Sequence, residues 1–359
     1  MKKIRILQLF IFLYPLMAVN ISAQSNVKSE KQIIDKWWEI PSFSINVKAK
    51  KWDNKLPLIH VDGNKFVNAD GKTILFRGLN IADPDKVEKD GHWNKAYFEK
   101  IKEWGATIVR IPVHPIAWRQ RTPENYLKLL DQAVDWCNDL GMYIIIDWHS
   151  IGNLKDELFQ NPMYNTTLKE TFEFWSIIAS HFNGSNTVAF YEIFNEPTLF
   201  FGKLGQMTWD EWKNINKRII LLMRAYDKET IPLVAGLDWA YDLTPLHYDP
   251  LHLSNIGYVT HPYPHKRTPP YEPKWEEDFG FAANSYPVIA TEIGFTLGDE
   301  SLAANGEYGK AIVNYLEGKG ISWVAWVFDP DWYPQMIKNW NFEPTDQGKF
   351  FMEMFKRTK

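Results

Sequence analysis

Two glutamates stand where a buried strand has no use for them. The run "VAFYEIFNEP" (188–197) is largely apolar and ends in Asn195-Glu196-Pro197, and "PVIATEIGF" (287–295) carries Glu292 near its close. A carboxylate at the end of an apolar run is either tied into an ion pair or held for proton transfer or nucleophilic attack. Two such groups in different surroundings can divide the work, one kept protonated and the other ionised. Comparable runs end in further groups able to do chemistry: Asn80, Arg110, His149, Trp239, His261 with Tyr263, and Trp326.

These residues meet only if the elements that carry them converge. Eight short apolar runs rich in branched residues span 74–80, 107–113, 143–149, 188–197, 231–239, 256–263, 287–295 and 321–330. Amphipathic stretches such as "NKAYFEKIKEWG" and "NYLKLLDQAVDWCNDLG" lie between them, several ending at a glycine that reads as a helix C-cap. Strands apolar on both faces and separated by helices belong in a buried parallel sheet. Eight such units predict an α/β fold, a single (β/α)8 (TIM) barrel, rather than a doubly wound sheet. Turn signals at Asp62-Gly63 and Asp70-Gly71 predict a hairpin over 58–76 that closes the bottom of the barrel. In a parallel barrel every strand C-terminus opens on one face, so residues far apart in sequence become neighbours there.

Glu196 then ends the fourth strand and Glu292 the seventh, facing each other across the mouth. Glycoside hydrolysis needs such a pair: one acid to release the leaving sugar, one carboxylate to attack the anomeric carbon. Arg110 can pair with Glu292 and keep it ionised and aimed, and Tyr263 can donate its hydroxyl to the same group. Asn195 can bind the sugar 2-hydroxyl, His149 and His261 can hydrogen-bond sugar or acid, and Trp326 can floor the ring being cleaved. Each of these has a structural alternative, such as a satisfied core histidine or a packed tryptophan.

The ordered set "RGLN" (77–80), "VRIPV" (109–113), "IDWH" (146–149), "FNEP" (194–197), "HPY" (261–263), "TEIG" (291–294) and "WVAWVF" (323–328) resembles glycoside hydrolase family 5, over about residues 58–345. Each motif is weak alone; the series, each member at a strand end, is specific. The resemblance implies Glu196 as acid/base and Glu292 as nucleophile of a retaining double displacement, with the two carboxyl groups about 5–5.5 Å apart. It also carries Arg110, His149, Asn195, His261, Tyr263 and Trp326 to the subsite around the cleaved bond. Ile293 departs from the Trp or Phe common after the nucleophile, and strand alternation turns it away from the site.

The rest of the chain sets limits. Lys2, Lys3 and Arg5 precede the apolar stretch 6–19 and a small residue, Ala23, so residues 1–23 read as a cleavable signal peptide, with 24–56 as a leader and 57–359 as the catalytic barrel. The alternative, an uncleaved anchor, is disfavoured because the apolar stretch is shorter than the ~20 residues of a span. A secreted or periplasmic protein without a lipidation cysteine follows. Removing the three basic residues moves the formal charge from −4 to −7, which argues against a nucleic-acid partner. No membrane span is expected in the mature chain, and a monomer is the default. Cys137 is the sole cysteine and sits on a helical pattern, so it reads as core. Among 17 tryptophans, Trp118, Trp239, Trp275 and Trp332, with Tyr333, fall just after strands and are candidates for stacking sugars. Trp104, Trp136, Trp148 and Trp175 read as core. The loops after strands four and six, the former with Leu199-Phe200-Phe201, would wall the cleft.

The expected partner is a β-linked polysaccharide or oligosaccharide, and the leading reading is an endo-β-1,4-glucanase. The same residues serve a β-mannanase, xyloglucanase, β-1,3-glucanase, exo-β-glucosidase or glycolipid-cleaving enzyme. A metal hydrolase would need more ligands than His261/His265 or Asp147/His149 supply. A non-catalytic sugar-binding barrel would have no need of both carboxylates. No cofactor and no metal are implied.

Overall fold

The computed structural model describes residues 50–198, 203–296 and 306–357. The expected signal peptide, most of the leader and the Leu199-Phe200-Phe201 patch lie outside the described residues. The leader's last residues pack on the body: the Trp52 ring lies 5.4 Å from Phe182, and Asn54 bonds the Gly184 carbonyl at 2.8 Å.

Eight parallel strands close into a barrel in sequence order: Arg77–Asn80, Ile108–Val113, Tyr143–Trp148, Val188–Glu192, Ile231–Ala235, Gly257–Thr260, Val288–Ile293 and Ser322–Ala325. The last strand pairs with the first, Val324 opposite Gly78, which completes the closure. Gly78 is required where it stands, because a Cβ there would come within 2.5 Å of the Ile108 carbonyl oxygen. Helices Lys95–Trp104, Pro123–Leu140, Leu168–Phe182, Trp209–Arg224 and Gly306–Gly318 occupy the predicted connections. Their ends follow local chemistry. Asn94 caps one N-terminus through its side chain, and Gly105 and Gly141 end two helices with φ of 109° and 68°. Thr208 and Glu211 form a reciprocal capping box.

The predicted hairpin is present as Ile59–Asp62 paired antiparallel with Lys65–Asn68. Ile59 and Phe66 pack beneath an inward layer that includes Phe76, Ile108, Ile145, Phe190, Leu233, Val259, Ile289 and Val324. Phe190 meets Phe66 and Phe76 edge-on at 4.9 and 5.4 Å. Phe190→Ala would cost about 3–5 kcal/mol by opening a cavity in this layer.

Side chains alternate along a strand, so every second residue points inward. Two residues above Ile108 comes Arg110; above Ile145, Asp147; above Phe190, Glu192; above Ile289, Thr291. The barrel interior thus passes in one step from an apolar floor to a polar layer beneath the mouth. The odd-facing partners, among them Val109, Ile144, Tyr191 and Ile293, pack outward against the helices. Cys137, Trp148 and Trp175 belong to this outer layer, as expected from the sequence.

Candidate active site

Arg110 is the centre of the polar layer and is fully buried. Its Nε and Nη2 donate to Glu192 at 2.7 and 2.8 Å in a two-pronged pair. Nη1 donates to Asn80 Oδ1 at 2.9 Å and to Glu292 Oε1 at 2.8 Å, and Nη2 also donates to Asn195 Oδ1 at 2.7 Å. Asp147 Oδ2 lies 3.0 Å from Nη2. One planar cation on the second strand therefore orders groups from the first, third, fourth and seventh strands or their ends.

Glu292 has both oxygens engaged: Oε1 by Arg110 and Oε2 by the Tyr263 hydroxyl at 2.8 Å. The seventh strand is irregular between Ala290 and Ile293, where it gains a residue against the eighth strand. Such a bulge re-aims side chains, and it lets both Thr291 and Glu292 reach interior groups. Glu196, beyond the end of the fourth strand, faces His261 Nδ1 at 3.0 Å. Glu196, Glu292 and His261 each place one oxygen or nitrogen within 4.8 Å of the others. Thus the two strand-end glutamates meet, as the sequence predicted.

Burial and charge set the proton affinities. Burial raises the Glu292 carboxyl above its ordinary value, against the opposing pull of His261 and Arg110. For Glu192 burial works in the same sense, but Arg110 and the hydrogen bonds prevail and hold the carboxyl below its ordinary value. Burial also opposes charge on His261, yet Glu292, Glu192 and Glu196 outweigh it and push the imidazole up to about 9. Desolvation drives Asp147 well above the usual carboxylate range and His149 well below the usual imidazole range; the two meet at 2.6 Å through Oδ2 and Nδ1.

A metal does not fit the three-residue cluster well. Glu292 already accepts from Arg110 and Tyr263, and an imidazole that favours its protonated form cannot ligate. A second acidic cluster, Asp90, Asp329 and Asp331, is occupied by the Lys86 ammonium at 2.7, 2.9 and 2.9 Å.

Aromatic residues shape the mouth. The Trp326 ring lies nearly parallel to His149 at 5.5 Å and 7°, and to Trp332 at 6.0 Å and 15°. Beside Glu196 a cleft of about 830 Å³ is lined by Gln160, Trp239, Tyr263, Lys266 and Tyr333, among others. Trp239 is half-buried, donates from Nε1 to Gln160 at 2.9 Å, and has the Lys266 ammonium 5.0 Å from its ring. It is set there by a left-handed segment, Asp238, Trp239 and Ala240, with φ of 58°, 56° and 58°. Two expectations fail. Trp118 packs on Tyr126 and Phe174, and Trp275 on Tyr271 and Tyr308; each is about 1% exposed. Both sit on helices, Pro115–Arg121 and Tyr271–Asp278, whose buried faces claim them.

Sequence reasoning missed Glu192, Thr291 and the positioning role of Asp147. The available signal was a polar residue inside an apolar run, two positions above an inward apolar one.

A closed parallel barrel with a close pair of carboxylates at its C-terminal mouth has the architecture of a barrel glycosidase. The sequence pattern of the cellulase family (glycosyl hydrolase family 5) matches residues 67–331, and the chain belongs to that family. A β-glucanase of Saccharophagus degradans is 45% identical, with a TM-score of 0.83 over 89% of this chain and 98% of that one. The structure of that β-glucanase in complex with cellotetraose aligns equally well, at 44% identity. An endoglucanase of Clostridium saccharobutylicum is 26% identical over 278 residues, 75% of this chain and 56% of that protein. Endoglucanase A of Butyrivibrio fibrisolvens is 26% identical over 56% of this chain and 44% of its own length. The chain thus spans about half the length of these two curated relatives.

Proposed function

We propose that this protein is a retaining endo-β-1,4-glucanase, with Glu196 as acid/base and Glu292 as nucleophile. The observation that carries the reading is the approach of a Glu196 and a Glu292 carboxylate oxygen to within 4.8 Å. That spacing suits direct attack and leaves too little room for the intervening water of an inverting enzyme. The endoglucanase relatives and the β-glucanase solved with cellotetraose support a β-glucan as substrate.

In the first step a Glu292 oxygen attacks the anomeric carbon. The bond to the glycosidic oxygen breaks, and Glu196 protonates that oxygen as it leaves. In the second step Glu196, now ionised, takes a proton from water. The water oxygen bonds the anomeric carbon and the ester to Glu292 breaks. Arg110 and Tyr263 favour the ionised form of Glu292 and aim it. The Asn195 carbonyl is committed to Arg110, which leaves its NH2 as a donor for the sugar 2-hydroxyl. His149, held through Nδ1 by Asp147, offers its other nitrogen to a sugar hydroxyl over the Trp326 platform. The protein acts outside the cytoplasm, exported by residues 1–23.

The test is reducing-sugar release from soluble β-1,4-glucan, β-1,3-glucan, β-mannan and xylan, with Glu292→Gln in parallel. Activity on the β-1,4-glucan that vanishes in the variant supports the reading. Activity confined to another polymer reassigns the substrate, and no release from any of them overturns endo-action.

A further inference from the structure

Behind Glu196 a chain of hydrogen bonds runs into the barrel: Glu196 Oε1 to His261 Nδ1 at 3.0 Å, His261 Nε2 to Thr291 Oγ1 at 2.9 Å, and Thr291 Oγ1 to Glu192 Oε1 at 3.0 Å. His261, Thr291 and Glu192 are fully buried. We propose that Thr291 is a positioning residue for the acid/base. Its hydroxyl, anchored on Glu192, fixes a proton on His261 Nε2 and turns Nδ1 to Glu196, so that Glu196 and His261 share the proton consumed in the first step. The proposal rests on the glycosidase reading above.

Counting protons along this chain fixes where each hydrogen lies. Glu192 accepts two hydrogen bonds from Arg110 and is ionised, so it offers no proton. The single hydroxyl hydrogen of Thr291 therefore points to Glu192. Its oxygen can then only accept from His261, which requires hydrogen on Nε2. Two forms of His261 comply. The neutral form has a bare Nδ1 that accepts from protonated Glu196. The cation has Nδ1–H, which donates to ionised Glu196. They differ only in where one proton sits along a 3.0 Å contact.

The charged surroundings favour holding that proton. Glu192, Glu196 and Glu292 act directly on His261, the last with an oxygen 3.9 Å from Nδ1. Asp147 and His149 from the third strand and Arg110 from the second complete the set. When the glycosidic bond breaks, its electron pair stays on the leaving oxygen and the shared proton moves there. The pair is left as ionised Glu196 and neutral His261. The proton of the attacking water restores it.

The experiment compares the full chain with Thr291→Val and Thr291→Ser on two substrates. Phenyl β-cellobioside needs a proton on its leaving group, and 2,4-dinitrophenyl β-cellobioside does not. The expected result for Thr291→Val is a loss of about tenfold in kcat/KM on the phenyl glycoside. Its basic limb moves about one pH unit lower, the dinitrophenyl glycoside is little changed, and Thr291→Ser behaves as wild type. Equal losses on both substrates, or none on either, overturn the proposal.

A second readout needs no turnover: the ¹⁵N shifts of the His261 ring, assigned with His261→Gln. The Nε2-protonated form with a titration point well above ordinary imidazole is expected, displaced downward in Thr291→Val. An unchanged tautomer and titration in the variant overturn the relay. If the wild type cleaves neither glycoside, the β-glucanase reading fails and the ring titration still decides whether Thr291 positions His261. Thr291→Ala carries the same comparisons if Thr291→Val does not fold.

Discussion

Arg110 and Glu292 meet at 2.8 Å inside the barrel, from the second and seventh strands, and the same guanidinium also holds Asn80, Glu192, Asn195 and Asp147. Its planar fork serves acceptors that no point charge can reach together. Arg110→Lys is expected to keep the charge and lose the geometry. Activity on β-glucan should fall at least about a hundredfold, since a displacement of about 1 Å at the reacting carboxylate has that effect. Arg110→Met should also lower stability by about 3–5 kcal/mol, because it leaves buried carboxylates unpaired. Urea unfolding beside the kinetics separates the two effects.

His261 links pH to stability. Its folded pKa, about 9, lies above the ordinary imidazole value near 6.5. A raised pKa means the folded state binds the proton more tightly. The stabilisation is therefore complete below about pH 6.5 and is lost as pH rises through about 9. The window is worth up to about 3 kcal/mol at 1.36 kcal/mol per unit. Thermal unfolding of wild type and His261→Gln should differ most near pH 6 and converge above pH 9. A constant gap across that range would remove the assignment. On the acid side, the proposed mechanism requires the raised Glu292 carboxyl to be ionised, so activity should fall below a pH higher than that of a free glutamate.

Lys86 has a structural part in the mouth. Its ammonium bonds Asp329 Oδ2, while Asp329 Oδ1 receives the backbone N–H groups of Asp331 and Trp332 at 2.8 and 2.9 Å. The turn that presents Trp332 beside Trp326 is thus pinned by one buried carboxylate and its cation. Lys86→Met should cost about 1–3 kcal/mol in stability and raise KM on cellotetraose about threefold or more, with kcat little altered. Loss confined to kcat would assign Lys86 a different part.

Much of this arrangement was legible in the sequence, for a physical reason. Strands buried on both faces are mostly apolar, so the eight runs were visible, and a polar or charged residue in the later part of such a run or just past it stands out. Glu196, Glu292, Arg110, His261 and Tyr263 were found that way, and they touch one another as expected. Glu192 and Thr291 lie inside their runs, where only the inward register set by Phe190 and Ile289 would have revealed them. The seventh-strand bulge that turns Thr291 and Glu292 to the interior has no sequence signature here. Trp118 and Trp275 misled because "just after a strand" does not distinguish a cleft-facing loop from the first turns of a helix packed on the barrel.

Trp239 fits that distinction from the other side. The three left-handed residues Asp238, Trp239 and Ala240 keep the chain from entering a helix at once, and the indole borders the cleft instead. Non-glycine residues in that region carry about 1–3 kcal/mol of strain each, which a site tolerates when it needs the side chain placed. The ring is positioned by Gln160 on one side and Lys266 on the other, and Glu196 lines the same cleft. With Glu196 as the proposed acid/base, a sugar bound here would sit on the leaving-group side of the cleaved bond. Trp239→Ala should therefore raise KM for cellotetraose and longer oligomers by about two- to tenfold, the worth of one stacked ring at about 0.5–1.5 kcal/mol. Hydrolysis of 2,4-dinitrophenyl β-cellobioside should be unaffected, because its leaving group places no sugar in that cleft. Equal losses on the oligomer and the aryl glycoside would show instead that Trp239 supports the reacting centre through the strained segment.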